Sequence, residues 1–239
     1  MFNHQHITLI IPALNEEHAI GQVIDDVPNC IDRIVVVDNG STDDTAEVAR
    51  AHGADVVTEF QRGYGSACLA GLEAIKETDL VSFVDSDYSD FPADLSKVIA
   101  PVANGVADLS IGCRVNGRRS KGGLLWHQYW GNRLACGCIR LVHGYRFSDF
   151  GPMRCIRWNK LKRLAMEDQD YGWTSEMQIK AARAGLNLVE VPVRYRDRVG
   201  DSKISGTLKG SILAGYKIIY WVVRLRFTMA PRVDQGVSV

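Results

Sequence analysis

The run RIVVVD at residues 33–38 constrains this chain most: six residues of nearly unbroken β-branched character suit a strand buried on both faces, as in a parallel sheet. Similar short runs stand at 7–11 (ITLII, ending at Pro12), 54–60, 80–84 (LVSFV) and 107–112. Helix-spaced segments lie between them. Ala19, Ile20, Val23, Ile24 and Val27 mark one over 18–27, and the spacing predicts others over 42–52, 65–77 and 92–100, the last opening at Pro92. Ser41 with Asp44 reads as a variant capping box for the second of these. This alternation predicts an α/β fold, a Rossmann-like, mostly parallel sheet with helices on both faces.

The second half departs from that rhythm. The pattern predicts one long apolar helix or two short ones over 121–143, an irregular strand over 146–156, a helix over 174–185, an edge strand over 188–195 containing Pro192, and an amphipathic helix over 207–227. With 239 residues and no linker, repeat or low-complexity tract, a single domain is expected. Its parts are a ligand-binding half (1–115), an elaborated region (116–206), and a C-terminal helix with its tail (207–239).

The 28 basic residues balance the 28 acidic ones, so a nucleic-acid partner held by a generally basic surface is not expected. Cysteines 30, 68, 113, 136, 138 and 155 contain no CxxC pair and read as free thiols in a reducing, cytoplasmic compartment. No signal peptide and no membrane-spanning run of 18 apolar residues is expected. Residues 123–130 (GLLWHQYW) and 212–223 carry aromatic and aliphatic belts. These suit a peripheral lipid contact, a core-facing helix or a homo-oligomer interface.

In an open parallel sheet, ligands bind beyond the carboxyl ends of the strands. The residues expected there are Pro12 to Glu17, Asp38-Asn39-Gly40-Ser41, Arg62-Gly63-Tyr64-Gly65, Asp85-Ser86-Asp87 and Gly112-Cys113-Arg114. Asp85 and Asp87 are the sharpest feature. Residues i and i+2 of an extended segment point the same way, so both carboxylates face one site, and a divalent cation relieves their repulsion. The spacing alone is weak, since Asp168 and Asp170 repeat it; the position after an apolar strand is what singles out the first pair. The alternative is a solvated acidic turn. Arg62-Gly63-Tyr64-Gly65 before a helix suggests backbone N–H groups near an anion, or a plain glycine turn. Gly63-x-Gly65-x-x-Cys68 approaches a dinucleotide fingerprint, but the third position is cysteine and the unit is the third βα pair rather than the first. The second half supplies arginines suited to phosphate, although more than half of its cations must be solvated surface charge.

Taken together, IIPALNEE, VVDNGSTDDT, RGYGSA, FVDSD, GCR, GNR, SDFGPMR, WTSEMQIKA and EVPVRYRDRVGDSKISG resemble, in order over about residues 6–206, the family 2 glycosyltransferases, and most closely the dolichyl- or polyprenyl-phosphate sugar synthases. The resemblance implies a GT-A fold and an inverting transfer from a nucleotide sugar of the GDP-mannose or UDP-glucose type. It implies Pro12, Leu14, Glu16, Asp38, Asn39, Arg62, Gly63 and Ser86 around the donor. Asp85 and Asp87, with Ser89 where relatives often have Gln, would hold Mg²⁺ or Mn²⁺. Arg114, Arg133, Arg198, Ser202 and Lys203 would grip the acceptor phosphate of a polyprenyl or dolichyl lipid. Asn39 departs from the family's usual second Asp. A phosphate acceptor needs no general base, whereas a hydroxyl acceptor would, with Asp149 or Glu176 as candidates. Three other readings stand beside this one: a soluble glycosyltransferase acting on a saccharide or small-metabolite hydroxyl, a sugar nucleotidyltransferase, and a nucleotide-sugar binder without turnover.

Overall fold

The computed structural model describes residues 2–115, 126–199 and 208–228. The elements in order are β1 (Ile7–Ala13), α1 (Ile20–Asp25), β2 (Arg33–Asp38), α2 (Thr45–Ala51), β3 (Asp55–Thr58), α3 (Tyr64–Glu73), β4 (Leu80–Phe83), α4 (Leu95–Ala103), β5 (Leu109–Cys113), α5 (Trp126–His143), β6 (Arg154–Arg157), α6 (Trp158–Leu164), α7 (Trp173–Arg183), β7 (Leu188–Pro192) and α8 (Leu208–Phe227). A 3₁₀ turn at Pro92–Asp94 leads into α4.

Seven strands form one sheet in the order β3-β2-β1-β4-β6-β5-β7. All pairings are parallel except those of β6, which runs antiparallel between β4 and β5. The expected mostly parallel α/β sheet is therefore present. Its faces are covered by two separate cores, as β1 illustrates. Ile7, Leu9 and Ile11 point into one core with α1, α2 and α4, while Ile10 points into the other with α3, α6 and α7. A third, smaller core joins α5, α7 and α8 through Ala135, Ile139, Ile179, Trp221, Val222 and Leu225.

Three local expectations are corrected. The first strand does not stop at Pro12: it pairs with β2 through Ala13, with Pro12 opposite Val37. Pairing with β4 has already ended at Ile10, so the missing proline N–H costs no ladder bond there. The capping box does not form, and Asp44 at the start of α2 makes no side-chain cap. Ser41 Oγ instead accepts from the Asn15 N–H at 2.9 Å. Finally, α6 was not anticipated, and the ordered strand of the 146–156 region is confined to Arg154–Arg157. The edge position expected for the Pro192 strand holds, since β7 ends the sheet.

Candidate active site

The strand order reverses between β1 and β4, and the crevice at the carboxyl ends of such a pair is the usual ligand position in doubly wound sheets. The loops after β1 and β2 are sewn together there. Asn15 Oδ1 accepts from the Thr42 N–H (2.7 Å), Thr45 Oγ1 accepts from the Glu16 N–H (2.7 Å), and Glu17 Oε2 accepts from the Asp44 N–H (3.0 Å). Asp38 Oδ1 accepts from the Ser41 N–H at 3.0 Å. Pro12, Glu16, Asp38 and Asn39 are buried, Leu14 is half-buried, and the exposed Arg62 lies across Gly40. The expected donor-side residues thus share one edge.

The acids after β4 form the centre of the site. Tyr64 O–H donates to Asp85 Oδ1 at 3.0 Å. Ser89 donates to Asp87 Oδ1 from both its N–H (2.9 Å) and its hydroxyl (2.6 Å), so Ser89 orients Asp87. Arg198 bridges Asp87 Oδ2 (3.4 Å) and Glu16 Oε1 (2.7 Å). Burial, and then the charge of Asp87, pushes the Asp85 carboxyl up to about 7. Ser86, between the two acids in sequence, is buried.

Asp90 is a residue that motif reading missed. It is buried, and among the described residues neither carboxylate oxygen has a hydrogen-bond partner. Burial, followed by the Asp85 charge, raises its carboxyl well above the ordinary range. Its sequence signal was only a third acid three residues after Asp87, which nothing distinguished from a turn. Arg154 was also missed as a site residue. Fully buried behind the acids, it donates to the carbonyls of Gly151, Pro152 and Thr174 and makes no ion pair among the described residues.

A half-buried, mutually repelling acid pair with a buried, unpartnered carboxyl beside it fits a divalent cation. Among the described residues, no group of three or more His, Cys, Asp or Glu side chains is arranged to hold one alone. That suits Mg²⁺ or Mn²⁺, which are commonly shared between one or two protein carboxylates and phosphate oxygens.

Several other expected roles change. Asp149 is fully buried and bound by Arg114 through Nε (2.9 Å), Nη2 (2.8 Å) and the backbone N–H (2.8 Å). Burial would raise its carboxyl, but Arg114 outweighs that and holds it below the ordinary range. A carboxylate held this way is a poor general base. Glu176 is also fully buried; it accepts the N–H groups of Glu167 (2.9 Å) and Asp168 (2.8 Å) and pairs with Lys180 at 2.7 Å. It pins the 167–168 segment.

The glycine loop has a similar explanation. A Cβ on Gly63 would lie 2.0 Å from the Gln169 carbonyl oxygen, and one on Gly65 would lie 2.0 Å from that of Asp168. The Ser66 N–H at the start of α3 donates to Gln169 (2.9 Å), so a protein carbonyl takes the place imagined for an anion. Asn39 donates to the carbonyls of Glu59 (3.0 Å) and Gln61 (2.7 Å) and accepts from the Gly63 N–H (2.8 Å), which commits its side chain to the loop rather than to a ligand. Asp168 binds the N–H groups of Asp170 (2.7 Å) and Gly172 (2.9 Å), so the second Asp-x-Asp is a turn. Arg133 is exposed on α5, next to Asn132, which clasps residues 148–150. Ser202 and Lys203 lie outside the described residues.

The sequence model of "Glycosyl transferase family 2" matches residues 8–163, which run from β1 through α6 and include every acid of the cluster. The chain belongs to glycosyl transferase family 2. This glycosyltransferase is 41% identical over 213 residues to an uncharacterized glycosyltransferase of Mycobacterium bovis, covering 87% of this chain and 94% of that one. It is 28% identical to the UDP-N-acetylglucosamine–dolichyl-phosphate N-acetylglucosaminyltransferase of Methanococcus voltae, covering 92% and 96%. Glucosyl-3-phosphoglycerate synthase of Mycobacterium tuberculosis, solved with Mn²⁺, UDP-glucose and phosphoglyceric acid, shares the glycosyltransferase's GT-A fold. Its TM-score is 0.73 at 23% identity, over 99% of this chain and 83% of that one.

Proposed function

We propose that this family 2 nucleotide-sugar glycosyltransferase moves a hexose from a nucleoside diphosphate to the phosphate of a polyprenyl or dolichyl lipid. The observation that carries the reading is the juxtaposition of a half-buried acid pair, Asp85 and Asp87, with an arginine, Arg198, that reaches both Asp87 and Glu16. On this reading residues 1–115 serve the donor, and acceptor contacts come from 116–206. Asp85 and Asp87 would hold Mg²⁺ or Mn²⁺, which supplies charge neutralisation for the departing diphosphate. Tyr64 and Ser89 keep the two carboxylates aimed. Glu16, Asp38 and the backbone around Asn39 form the wall for base and ribose, with Leu14 and Arg62 at its rim. Arg198 places the acceptor's anionic oxygen, Arg114 lends its positive field from the Asp149 pair, and Arg133 is the exposed third cation. An acceptor phosphate brings its own nucleophilic oxygen, so positioning is the main demand.

The name of the Methanococcus voltae relative supports a lipid-phosphate acceptor. The engagement of Asp149 and Glu176 supports it as well, because neither is available as a base. A small-metabolite hydroxyl acceptor is the second reading. Asp90 supports it: its carboxyl has no hydrogen-bond partner among the described residues and burial raises it above the ordinary range, so it would accept a proton readily from an acceptor hydroxyl that reached it.

The test measures nucleoside diphosphate release from a panel of nucleotide sugars with Mn²⁺, with a polyprenyl phosphate, with a phosphorylated metabolite, or with neither. Release stimulated by the lipid alone, lost in Asp87→Ala and kept in Asp90→Asn, is the expected result. Stimulation by the metabolite alone, abolished by Asp90→Asn, would replace the first reading with the second. Pyrophosphate as the released product would overturn both.

A further inference from the structure

We infer that the outer face of α5 and α8 is a docking surface for an anionic lipid bilayer. The inner face of α8 is occupied: Ile218, Trp221, Val222 and Leu225 pack in the third core against α5 and α7. The helix is fastened there. His143 meets the Val222 carbonyl at 2.9 Å, and Arg183 donates to the carbonyls of Leu225 and Thr228. The opposite face is nevertheless apolar. Leu213, Tyr216 (63% exposed), Tyr220, Val223 and Phe227 (85%) recur at spacings of three and four and form one outward stripe. On α5, Leu134 (70%) and Leu141 (87%) are likewise bare, with Trp130 beside them. A folded chain does not normally leave so many large apolar side chains wet on two helices that pack together.

Charge decides what covers this face. The whole chain balances 28 acids against 28 bases, yet α5 and α8 contain no Asp or Glu. Their charged residues are all cations, and Arg140 and Arg226 are exposed and make no ion pair among the described residues. A second copy docking through the same face would set these cations against their own kind. A bilayer bearing anionic headgroups accepts both properties at once: apolar and aromatic side chains enter the headgroup boundary while arginines meet the phosphates. No described helix is long and apolar enough to cross a membrane, so the helices lie on the surface. This inference does not depend on the acceptor, because Arg140, Leu141, Tyr216 and Arg226 are not among the residues named for donor, metal or acceptor.

Flotation of the full chain with vesicles free of polyprenyl phosphate tests it. The chain should float with phosphatidylcholine vesicles containing phosphatidylglycerol, far less with phosphatidylcholine alone, and less as salt is raised. Tyr216→Glu and Leu141→Glu, both at exposed positions, should each lower partitioning about tenfold or more, because a carboxylate replaces inserted apolar surface and repels the headgroups. Arg140→Gln with Arg226→Gln should lower it about fivefold per cation and flatten the salt dependence. Sugar-donor hydrolysis without acceptor should stay at the wild-type rate in all of them, which reports an intact fold and separates failure here from failure of the acceptor reading. Three results would overturn the proposal: no flotation with anionic vesicles, equal flotation of the variants, or a wild-type dimer that the Tyr216 and Leu141 variants convert to monomer without any vesicle binding.

Discussion

Asn39 directs three hydrogen bonds to the backbone of a single loop, two donated and one accepted. An aspartate could keep the bond from Gly63 but would turn a carboxylate oxygen toward two carbonyls. Asn39→Asp should therefore cost about 1–3 kcal/mol and loosen residues 59–63, which urea denaturation and a raised donor KM would report together. Asp149 makes the same kind of argument for charge. Its folded carboxyl is depressed, so the Asp149–Arg114 pair stabilises the fold fully above the ordinary carboxylate range and loses that contribution as pH falls through the lower folded value. Asp149→Asn leaves the half-buried Arg114 guanidinium without its counter-ion, a loss of about 3 kcal/mol near neutral pH. Denaturation curves should show that gap closing as both proteins are acidified. Asp85, Asp87, Glu16 and Arg198, singled out by strand-end position and family order, share one network in the fold. The engagement of Asp149 and Glu176 was not legible, because a carboxylate's partner, here an arginine 35 residues away and a lysine one helical turn on, is not visible in the motif that contains it.

The same distinction between local and distant information holds for whole elements. The strands of the first half were legible because each is a compact apolar run set between helix-spaced segments, although only β1, β2 and β3 pair in chain order. β6 was blurred: four residues give little periodicity, and its antiparallel place between β4 and β5 is decided by contacts far along the chain. The glycine loop was legible as a loop but not for its reason, since what excludes a side chain at Gly65 is the backbone of Asp168 and Asp170. That difference is measurable. Gly65→Ala should destabilise by roughly 3 kcal/mol or more, because the atoms in its way are backbone and cannot rotate aside. Gly137→Ala, inside α5 with nothing within 4 Å of the added methyl, should gain about 0.5–1 kcal/mol from helix propensity. Thermal unfolding of the two variants should move in opposite directions.

At the scale of the whole molecule, zero net charge conceals a sorting of charge by place: acids gather at the crevice and cations on α5 and α8. Glu16, Asp85, Asp87 and Asp90 are drawn into one poorly solvated region, with Arg198 as the cation that reaches two of them. Holding them together opposes folding, and a ligand that brings compensating charge returns that energy as stability. A nucleoside diphosphate alone adds negative charge to an acidic crevice, and Mn²⁺ alone finds few protein ligands. Each should therefore raise the melting temperature little, while the two together should raise it strongly. At a hundred times the dissociation constant, linkage gives about 2.7 kcal/mol, or roughly 5–10 °C for a chain of this size. In Asp87→Ala the apo protein should stay folded, since removing one of several crowded acids relieves repulsion, and the synergy between metal and nucleotide should vanish. Differential scanning calorimetry over the four ligand combinations decides the matter. Shifts that merely add, or a synergy that survives in Asp87→Ala, would mean that the acids after β4 are not where metal and diphosphate meet.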